Sequence, residues 1–215
     1  MSTPVTVHID GFPDGVQVVE IKSREAARAR DLALHLSDLT FSKTALGQIP
    51  SNPNVDDITQ MSLWRCAIYQ FYKCFQHSES RVNLDSSRVL IGASVEVREN
   101  FKYYKHTRNK HLIHDENSNS QVSVIAVLND GSKPHKIEGV RAMTMRFDDF
   151  SAQSVVNFKS VVNWTIDFVR REFDPLLETV RAELESKPLK ELQSLPPPQD
   201  KVPTVAEVSR PRPRK

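Results

Sequence analysis

Apolar residues recur at intervals of three and four along most of the chain, the pattern of helices with one buried face. Helices are predicted to begin after Ser23, after Asp57 and after Asp148 or Asp149, because these residues can cap a helix N-terminus. A further helical stretch covers roughly residues 86–114, with an irregularity expected at Gly92. The predicted buried stripes are Leu32, Leu36, Leu39 and Leu46; Met61, Trp64, Ile68, Phe71 and Phe75; Leu90, Val97, Phe101 and Tyr104; and Val155, Phe158, Val162, Ile166, Val169 and Phe173.

Two segments have the composition of strands instead. VSVIAVL at 122–128 and IEGVRAMTMRF at 137–147 are rich in β-branched and apolar residues, and NDG provides a turn after the first. They predict a β-hairpin over about 122–147. Residues 1–21 mix Val and Ile with the turn GFPDG, which favours two short strands or an extended N-terminal arm. The sequence therefore predicts a mainly α protein, with one helical domain at 22–186 into which the hairpin is inserted.

The end of the chain differs from the rest in composition and charge. Six of the 13 prolines lie between 196 and 213, and residues 187–215 carry seven Lys/Arg against three acids. With few large apolar side chains, this segment is predicted to be a disordered, Pro-rich basic tail. The whole chain has a net charge of +2, so residues 1–186 have a net charge of −2. Any affinity of the folded part for nucleic acid must therefore come from a local basic patch.

The two cysteines and the apolar runs indicate a reducing compartment. Cys66 and Cys74 lie eight residues apart in one predicted helix, about 12 Å along its axis. That distance is too long for a disulfide, so both are expected to be reduced thiols. No apolar run is long enough to span a membrane, and the N-terminus lacks a secretion signal pattern. These features predict a cytoplasmic protein.

Titratable residues concentrate in the segment HTRNKHLIHDE, residues 106–116. One interpretation is a metal site formed by His106, His111, His114 and an acid, although no HExxH motif or cysteine pair supports it. A second is structural, because cationic side chains near a helix C-terminus interact favourably with its free carbonyl groups. The third is metal-free cleavage of RNA, which requires no cofactor.

RNA cleavage needs a group that binds phosphate and a group that transfers protons. Arg108 offers a charged planar fork that matches a phosphate. A histidine titrates near neutral pH, so it can take a proton from a ribose 2′-OH or give one to the leaving oxygen. Arg108 and His114 are six residues apart and lie about 240° apart around a straight helix. Their convergence requires the helix to end or distort between them, or a second chain to complete the site.

The segment R-N-K-H-L-I-H, residues 108–114, resembles the Arg-x(4–6)-His signature of the HEPN superfamily. It follows a helix rich in Trp and Phe, SLWRCAIYQFYKCF, and lies at the end of the next helical stretch. The resemblance is greatest to the branch associated with abortive infection in bacterial defence. It implies an up-and-down helical bundle that forms a homodimer, with two Arg-His motifs meeting in a cleft for RNA. In that comparison Arg108 and His114 are the catalytic pair, and Asn109 is the accompanying polar residue.

The leading hypothesis is therefore a metal-independent endoribonuclease of HEPN type, a defence or toxin enzyme that cleaves RNA by 2′-OH attack. Arg108 and His114 would be catalytic, and Asn109, Lys110 and His111 would support them or bind RNA. A homodimer, RNA and a cognate antitoxin or other partner protein are the expected partners. The alternative is a non-catalytic module of the same fold that binds RNA or a protein. A metal-dependent hydrolase is the third hypothesis, which chelators would inactivate.

Overall fold

The computed structural model describes residues 6–7, 10–12, 16–54, 56–114, 120–146, 150–198 and 204–209. Most of the described chain is helical, as the sequence predicts, and none of its helices is long and apolar enough to cross a membrane. The elements in chain order are β1 (Thr6–Val7), β2 (Val16–Gln17), α1 (Arg24–Gly47), α2 (Ile58–Lys73), α3 (Ser86–Val89), α4 (Val95–Thr107), a π-helix (Arg108–Ile113), β3 (Ser120–Leu128), β4 (Ile137–Arg146), α5 (Ala152–Glu185), α6 (Leu189–Gln193) and α7 (Val205–Val208).

The sequence places most of these helices correctly because their caps are local. The Ser23 hydroxyl accepts a hydrogen bond from the amide of Ala26 at 3.0 Å, at the start of α1. The Asp57 carboxylate accepts from the amides of Thr59 and Gln60 at the start of α2. The predicted hairpin is also present, with β3 and β4 antiparallel. In the first 21 residues, β1 pairs with β2, Thr6 opposite Gln17.

Three predicted boundaries are corrected. The helical stretch expected at 86–114 is divided into α3 and α4, because Gly92 has a φ of +75°, which a helix cannot accommodate. Helix α5 begins after Ser151, whose hydroxyl accepts from the amide of Ser154 at 3.1 Å. The alternative caps Asp148 and Asp149 lie outside the described residues. The pair Asp174-Pro175 is compatible in sequence with either a kink or the start of a new helix. Helix α5 continues through Pro175, so a new helix does not start there.

The C-terminal segment is more ordered than its composition predicts. Residues 189–193 form α6, which contradicts disorder for that part of the predicted tail. Two backbone carbonyls of this segment accept hydrogen bonds from residues near the start of the chain. The Pro196 carbonyl accepts from the amide of Glu20 at 2.7 Å, and the Gln193 carbonyl accepts from the side-chain amide of Gln17. Backbone hydrogen bonds of this kind do not depend on apolar side chains. The prediction for residues 199–203 and 210–215 lies outside the described residues.

The chain divides into two units. The first comprises residues 1–37, 75–85 and 166–215. In it, Asp31 and His35 stand one turn apart on α1 and hold Val82, whose amide donates to Asp31 Oδ2 at 3.0 Å and whose carbonyl accepts from His35 Nε2 at 2.8 Å. Arg28 pairs with Glu172 of α5 at 2.7 Å. These polar contacts fix the loop at 75–85 and the start of α1.

The second unit comprises residues 38–74 and 86–165 and is built on an aromatic core. Trp64 of α2 packs against Tyr104 of α4 with ring centroids 5.6 Å apart, and Phe158 of α5 lies 4.8 Å from Tyr104. Edge-to-face contacts of this type add roughly 0.5–1.5 kcal/mol per pair beyond the burial of area. Helices α2, α4 and the start of α5 are thereby fixed around one cluster. Its rings are Trp64, Phe71, Tyr72, Phe101, Tyr104, Phe150 and Phe158.

Candidate functional site

Helix α4 carries the candidate site at its C-terminal end, and its orientation is set by both ends. The Ser94 hydroxyl caps the first turn by accepting from the amide of Val97 at 3.2 Å. Near the last turn, Tyr104 is 1% exposed and its hydroxyl donates to the carbonyl of Ser154 at 3.0 Å. Because Tyr104 is anchored in the aromatic core, the residues that follow it leave the core at a defined point.

The helix widens at that point and then ends. The amide of Arg108 is shared between the carbonyls of Tyr104 and Lys105, and residues Arg108–Ile113 form a π-helix. A π-helix closes its hydrogen bonds between residues five apart, so it turns less per residue than an α-helix, and such segments occur frequently at functional sites. His114 follows in extended conformation, with φ −121° and ψ 141°. The helix therefore both distorts and ends between Arg108 and His114.

Arg108 is held by two neighbours of different kinds. Its Nη1 donates to Asn109 Oδ1 at 2.8 Å, and its guanidinium carbon lies 6.0 Å from the centre of the Tyr69 ring, at the outer limit of a cation–π contact. Its Nε is buried and has no hydrogen-bond acceptor among the residues that the structure describes. Within the described part of the chain, no carboxylate pairs with this guanidinium. The arginine is thus positioned without having its charge neutralised there.

The other polar and titratable residues of the segment differ in their exposure to solvent. His114, Lys110 and His106 are exposed to solvent, whereas His111 and Asn109 are half-buried. Arg108 is the first residue of the π-helix and His114 follows its last residue, and the two side chains form no hydrogen bond with each other. Asn109, predicted to support the catalytic pair or to bind RNA, accepts a hydrogen bond from Arg108. Asp115 and Glu116 lie outside the described residues, and elsewhere no three His, Cys, Asp or Glu side chains cluster as metal ligands.

Tyr69 is the site residue that sequence reasoning missed. The aromatic residues of α2 were all interpreted as core, and Trp64, Phe71 and Tyr72 are indeed buried. Tyr69 lies off that buried stripe and is 46% exposed. The sequence signal for Tyr69 is its position in SLWRCAIYQFYKCF, between Ile68 and Gln70 and outside the apolar stripe. An aromatic ring outside the stripe leaves one face free to contact a cation.

The chain was compared with protein-family models, with curated proteins and with solved structures, and nothing matches it in any of the three comparisons. The assignment of function rests on the residues and geometry of the segment itself.

Proposed function

We propose that the chain is a metal-independent endoribonuclease of the HEPN type, in which Arg108 binds the scissile phosphate and His114 transfers protons. The observation that carries the proposal is the state of Arg108. Its guanidinium is oriented by Asn109 and Tyr69, and its Nε has no acceptor. A buried donor without an acceptor is costly, and a phosphate oxygen is the acceptor that its geometry suits.

The reaction needs no group other than these side chains. A base removes the proton of a ribose 2′-OH, the 2′ oxygen forms a bond to the adjacent phosphorus, and the bond from phosphorus to the 5′ oxygen breaks. An acid gives a proton to the departing 5′ oxygen, which leaves a 2′,3′-cyclic phosphate on the other product. His114 has the exposure that contact with RNA requires. Arg108 stabilises the added charge on the phosphorane oxygens.

The supporting residues have distinct parts in this proposal. Asn109 positions Arg108 through its side-chain oxygen. Lys110 is exposed and adds charge for the RNA backbone, and His111 is half-buried within the π-helix. A second copy of the chain completes the cleft, since Arg108 and His114 form no hydrogen bond with each other within one chain. A role in bacterial defence, with a cognate antitoxin, is the setting that the HEPN resemblance suggests.

The proposal is tested with purified wild-type protein, His114→Ala and His106→Ala on single-stranded RNA. His106 is a matched control, because it is an exposed histidine of α4 in the same polar segment as His114. We expect His114→Ala to lose cleavage by roughly 10²–10⁴-fold, the usual contribution of general acid–base catalysis, while His106→Ala keeps the wild-type rate. Mass spectrometry of the products should show 2′,3′-cyclic phosphate ends, and an all-deoxy substrate should remain intact.

Three results would contradict the proposal. Equal cleavage by wild type and His114→Ala would show that another enzyme or another residue is responsible. Binding of RNA by a wild-type protein that never cleaves it would favour the non-catalytic module of the same fold. Activity that disappears on addition of EDTA would instead favour the metal-dependent hydrolase.

A further inference from the structure

Helix α4 carries a continuous row of cationic side chains that leads to Arg108. Residues three or four apart are neighbours on the surface of a helix. Arg98, Lys102 and Lys105 follow each other at spacings of four and three, and Arg108 comes three residues after Lys105. Arg98, Lys102 and Lys105 are all exposed to solvent. We call these three residues the basic row; from its first residue to Arg108 the helix rises about 15 Å.

The acidic residues of α4 do not neutralise the basic row. At about 100° per residue the row occupies an arc of roughly 60°, and Glu96 and Glu99 lie on average about 120° further around the helix. Glu99 is three residues before Lys102 but forms no ion pair with it. Among the residues that the structure describes, no carboxylate pairs with any cation of the row. The row is thus a local concentration of positive charge, although residues 1–186 together have a net charge of −2.

The stability of the helix does not account for the basic row. Cations stabilise the last turn of a helix, where they interact with its free carbonyl groups, and the effect is confined to that turn. This applies to Lys105 but not to Arg98, which lies at the opposite end of α4, where a cation is unfavourable. Like charges three or four residues apart also repel each other. The fold therefore holds these charges together at a cost in stability, which favours a role in binding an anionic ligand.

The basic row runs along α4 beside α2. Phe101 packs against Phe71 of α2, and Lys105 lies one turn further along the same side of α4 as Phe101. Tyr69 of α2 is 46% exposed, and its ring lies 6.0 Å from the guanidinium carbon of Arg108. All of these residues belong to the second unit. An exposed aromatic ring is therefore present at the end of the row of cations.

These features fit the backbone of a single-stranded nucleic acid. Proteins that bind single strands combine a positively charged surface, which follows the phosphates, with aromatic rings on which bases stack. A stacked strand has one phosphate about every 3.4 Å. The rise from Arg98 to Arg108 therefore corresponds to about four stacked nucleotides. The spacing, the charge and the neighbouring ring together favour a strand that lies along α4.

We propose that the basic row binds phosphates of a single-stranded RNA next to the phosphate that Arg108 holds. The strand lies along α4, and Arg108 and Tyr69 contact its end. The row contacts phosphates and not bases, so it adds affinity without a preference for sequence. The inference rests on the proposed ribonuclease function for the position of the cleaved bond, but binding to the row can be measured without cleavage.

The first test measures binding to a strand that cannot be cleaved. The probe is a fluorescein-labelled 2′-O-methyl oligonucleotide of roughly 12 nucleotides, which is longer than the row and has no 2′-OH to attack. Fluorescence anisotropy gives its Kd for the full chain at salt concentrations from about 50 to 200 mM. The row variant removes all three charges by combining Arg98→Gln, Lys102→Gln and Lys105→Gln.

The expected result follows from the release of counterions. Each phosphate contact to a single strand contributes about −0.7 to the slope of log K against log salt concentration, so the row variant should flatten that slope by about 2. It should bind the probe at least about tenfold more weakly than the wild type at the lowest salt concentration.

A matched control removes the same charge from other parts of the surface. It replaces one arginine and two lysines that are also exposed, by combining Arg24→Gln, Lys43→Gln and Lys136→Gln. Because the two triple variants have the same net charge, a difference between them reports the position of the charges and not their number. The control should keep the wild-type slope and a Kd within about threefold of the wild-type value. Far-ultraviolet circular dichroism checks that both variants are folded like the wild type.

Several outcomes would overturn the proposal. A wild type that does not bind the probe, or a row variant with the wild-type Kd and slope, would show that the row does not bind the strand. Equal weakening in the two triple variants would show that only the net charge matters. Polyglutamate that competes as well as the unlabelled strand would show that the row binds acidic polymers in general.

Cleavage assays separate this inference from the proposed activity. A dinucleotide has one phosphate, which Arg108 takes, so the row variant should cleave it at the wild-type rate and should lose kcat/KM only on longer RNA. If the wild type binds the probe through the row but cleaves no RNA, the ribonuclease proposal fails and the binding surface stands. If the row variant cleaves long RNA with the wild-type kcat/KM, the role of the row fails and the ribonuclease proposal stands.

Discussion

Arg108 lies at the surface of the aromatic core, where its guanidinium is supported on one side by Tyr69 and on its edge by Asn109. Support from a ring and an amide differs from support by a carboxylate, because neither neighbour neutralises the positive charge. A guanidinium paired with a carboxylate would have to exchange that partner for a phosphate. Arg108 has no such exchange to make with the described residues, so its remaining donors suit an anionic ligand, which in the proposed reaction is the phosphate of RNA.

We therefore predict that Tyr69 positions Arg108 through the face of its ring. Tyr69→Leu should lower the cleavage rate by roughly 2- to 30-fold, the range that corresponds to a cation–π interaction of about 0.5–2 kcal/mol. Tyr69→Phe keeps the ring and should retain wild-type activity. Rates are measured on the RNA substrate under single-turnover conditions.

Tyr103→Leu is the control for this prediction, because Tyr103 is a tyrosine of nearly equal exposure, 47%, on the neighbouring helix. A loss of similar size in Tyr103→Leu, or a Tyr69→Phe as impaired as Tyr69→Leu, would indicate that the ring of Tyr69 has no specific effect on Arg108.

Helix α2, which carries Tyr69, begins at a single carboxylate. The hydrogen bond from the amide of Gln60 has the largest effect on the pKa of the Asp57 carboxyl and lowers it. Loss of hydration opposes that effect, but the hydrogen bonds from the amide of Thr59 and the side chain of Gln60 add to it, and the pKa lies below its ordinary value. A lowered pKa in the folded state means that the folded protein binds fewer protons than the unfolded chain. Stability from Asp57 is therefore complete above the unfolded pKa of about 3.9 and is lost as the pH falls through the lower, folded pKa.

Asp57 stabilises the folded protein by accepting two capping hydrogen bonds and by carrying a negative charge. Two substitutions at this position separate these effects. Asp57→Ala should lower the melting temperature at pH 7, because the amides of Thr59 and Gln60 lose their acceptor. Asp57→Asn keeps a hydrogen-bond acceptor and should retain more of that stability. Because Asn does not titrate, the free energy of unfolding of this variant should fall less than that of the wild type when the pH is lowered. Asp56→Ala, an exposed neighbour outside the cap, should melt like the wild type. A drop in Asp56→Ala equal to that in Asp57→Ala would contradict the assignment.

At the level of elements, the accuracy of sequence reasoning follows the range of the interactions involved. The caps at Ser23 and Asp57 and the strands of the hairpin depend on neighbouring residues, and all were predicted correctly. The break at Gly92 was expected as an irregularity but not as a division of the helix, because a glycine is compatible with either sign of φ and only the structure shows the value of +75°. Helix α6 was not predicted. The segment that follows it is held by a backbone hydrogen bond to Glu20, a residue distant in the sequence.

The candidate site shows the same limit. The residues of R-N-K-H-L-I-H could be identified from their chemistry, and the need for a distorted or terminated helix followed from their spacing. The π-helix itself has no sequence signature, and the approach of Tyr69 to Arg108 depends on how α2 contacts the segment. The residues of β3 and β4 that lie opposite each other could be assigned only once the register of the hairpin was known.

The stability of the second unit depends on the rings that α2, α4 and α5 bring together. Tyr72 is the polar member of this group, 3% exposed, with its hydroxyl donating to the carbonyl of Phe101. Burial, with a smaller contribution from the neighbouring Tyr104, raises the pKa of Tyr72 well above its ordinary value near 10. The folded protein therefore keeps this proton at a pH where the unfolded chain has lost it.

The consequence is a loss of stability in alkali. Below about pH 10 both states hold the proton and Tyr72 adds no pH dependence; above it the unfolded chain ionises first, so the free energy of unfolding falls as the pH rises toward the folded pKa. Tyr72→Phe should lower stability by about 0.5–1.5 kcal/mol at pH 8, the net value of its hydrogen bond, yet weaken the decline between pH 8 and pH 11.

Urea unfolding followed by tryptophan fluorescence measures both effects, because Trp64 and Trp164 both lie in the second unit. Tyr103→Phe is the control: its hydroxyl is on an exposed side chain, so its removal should leave the alkaline decline as steep as in wild type. If Tyr72→Phe and wild type lose stability in parallel from pH 8 to pH 11, the buried hydroxyl is not the group that titrates on unfolding. If the two proteins differ as expected, ionisation of Tyr72 lowers the stability of the aromatic cluster at high pH. Because that cluster holds the end of α4, the candidate site should then also be lost in alkali.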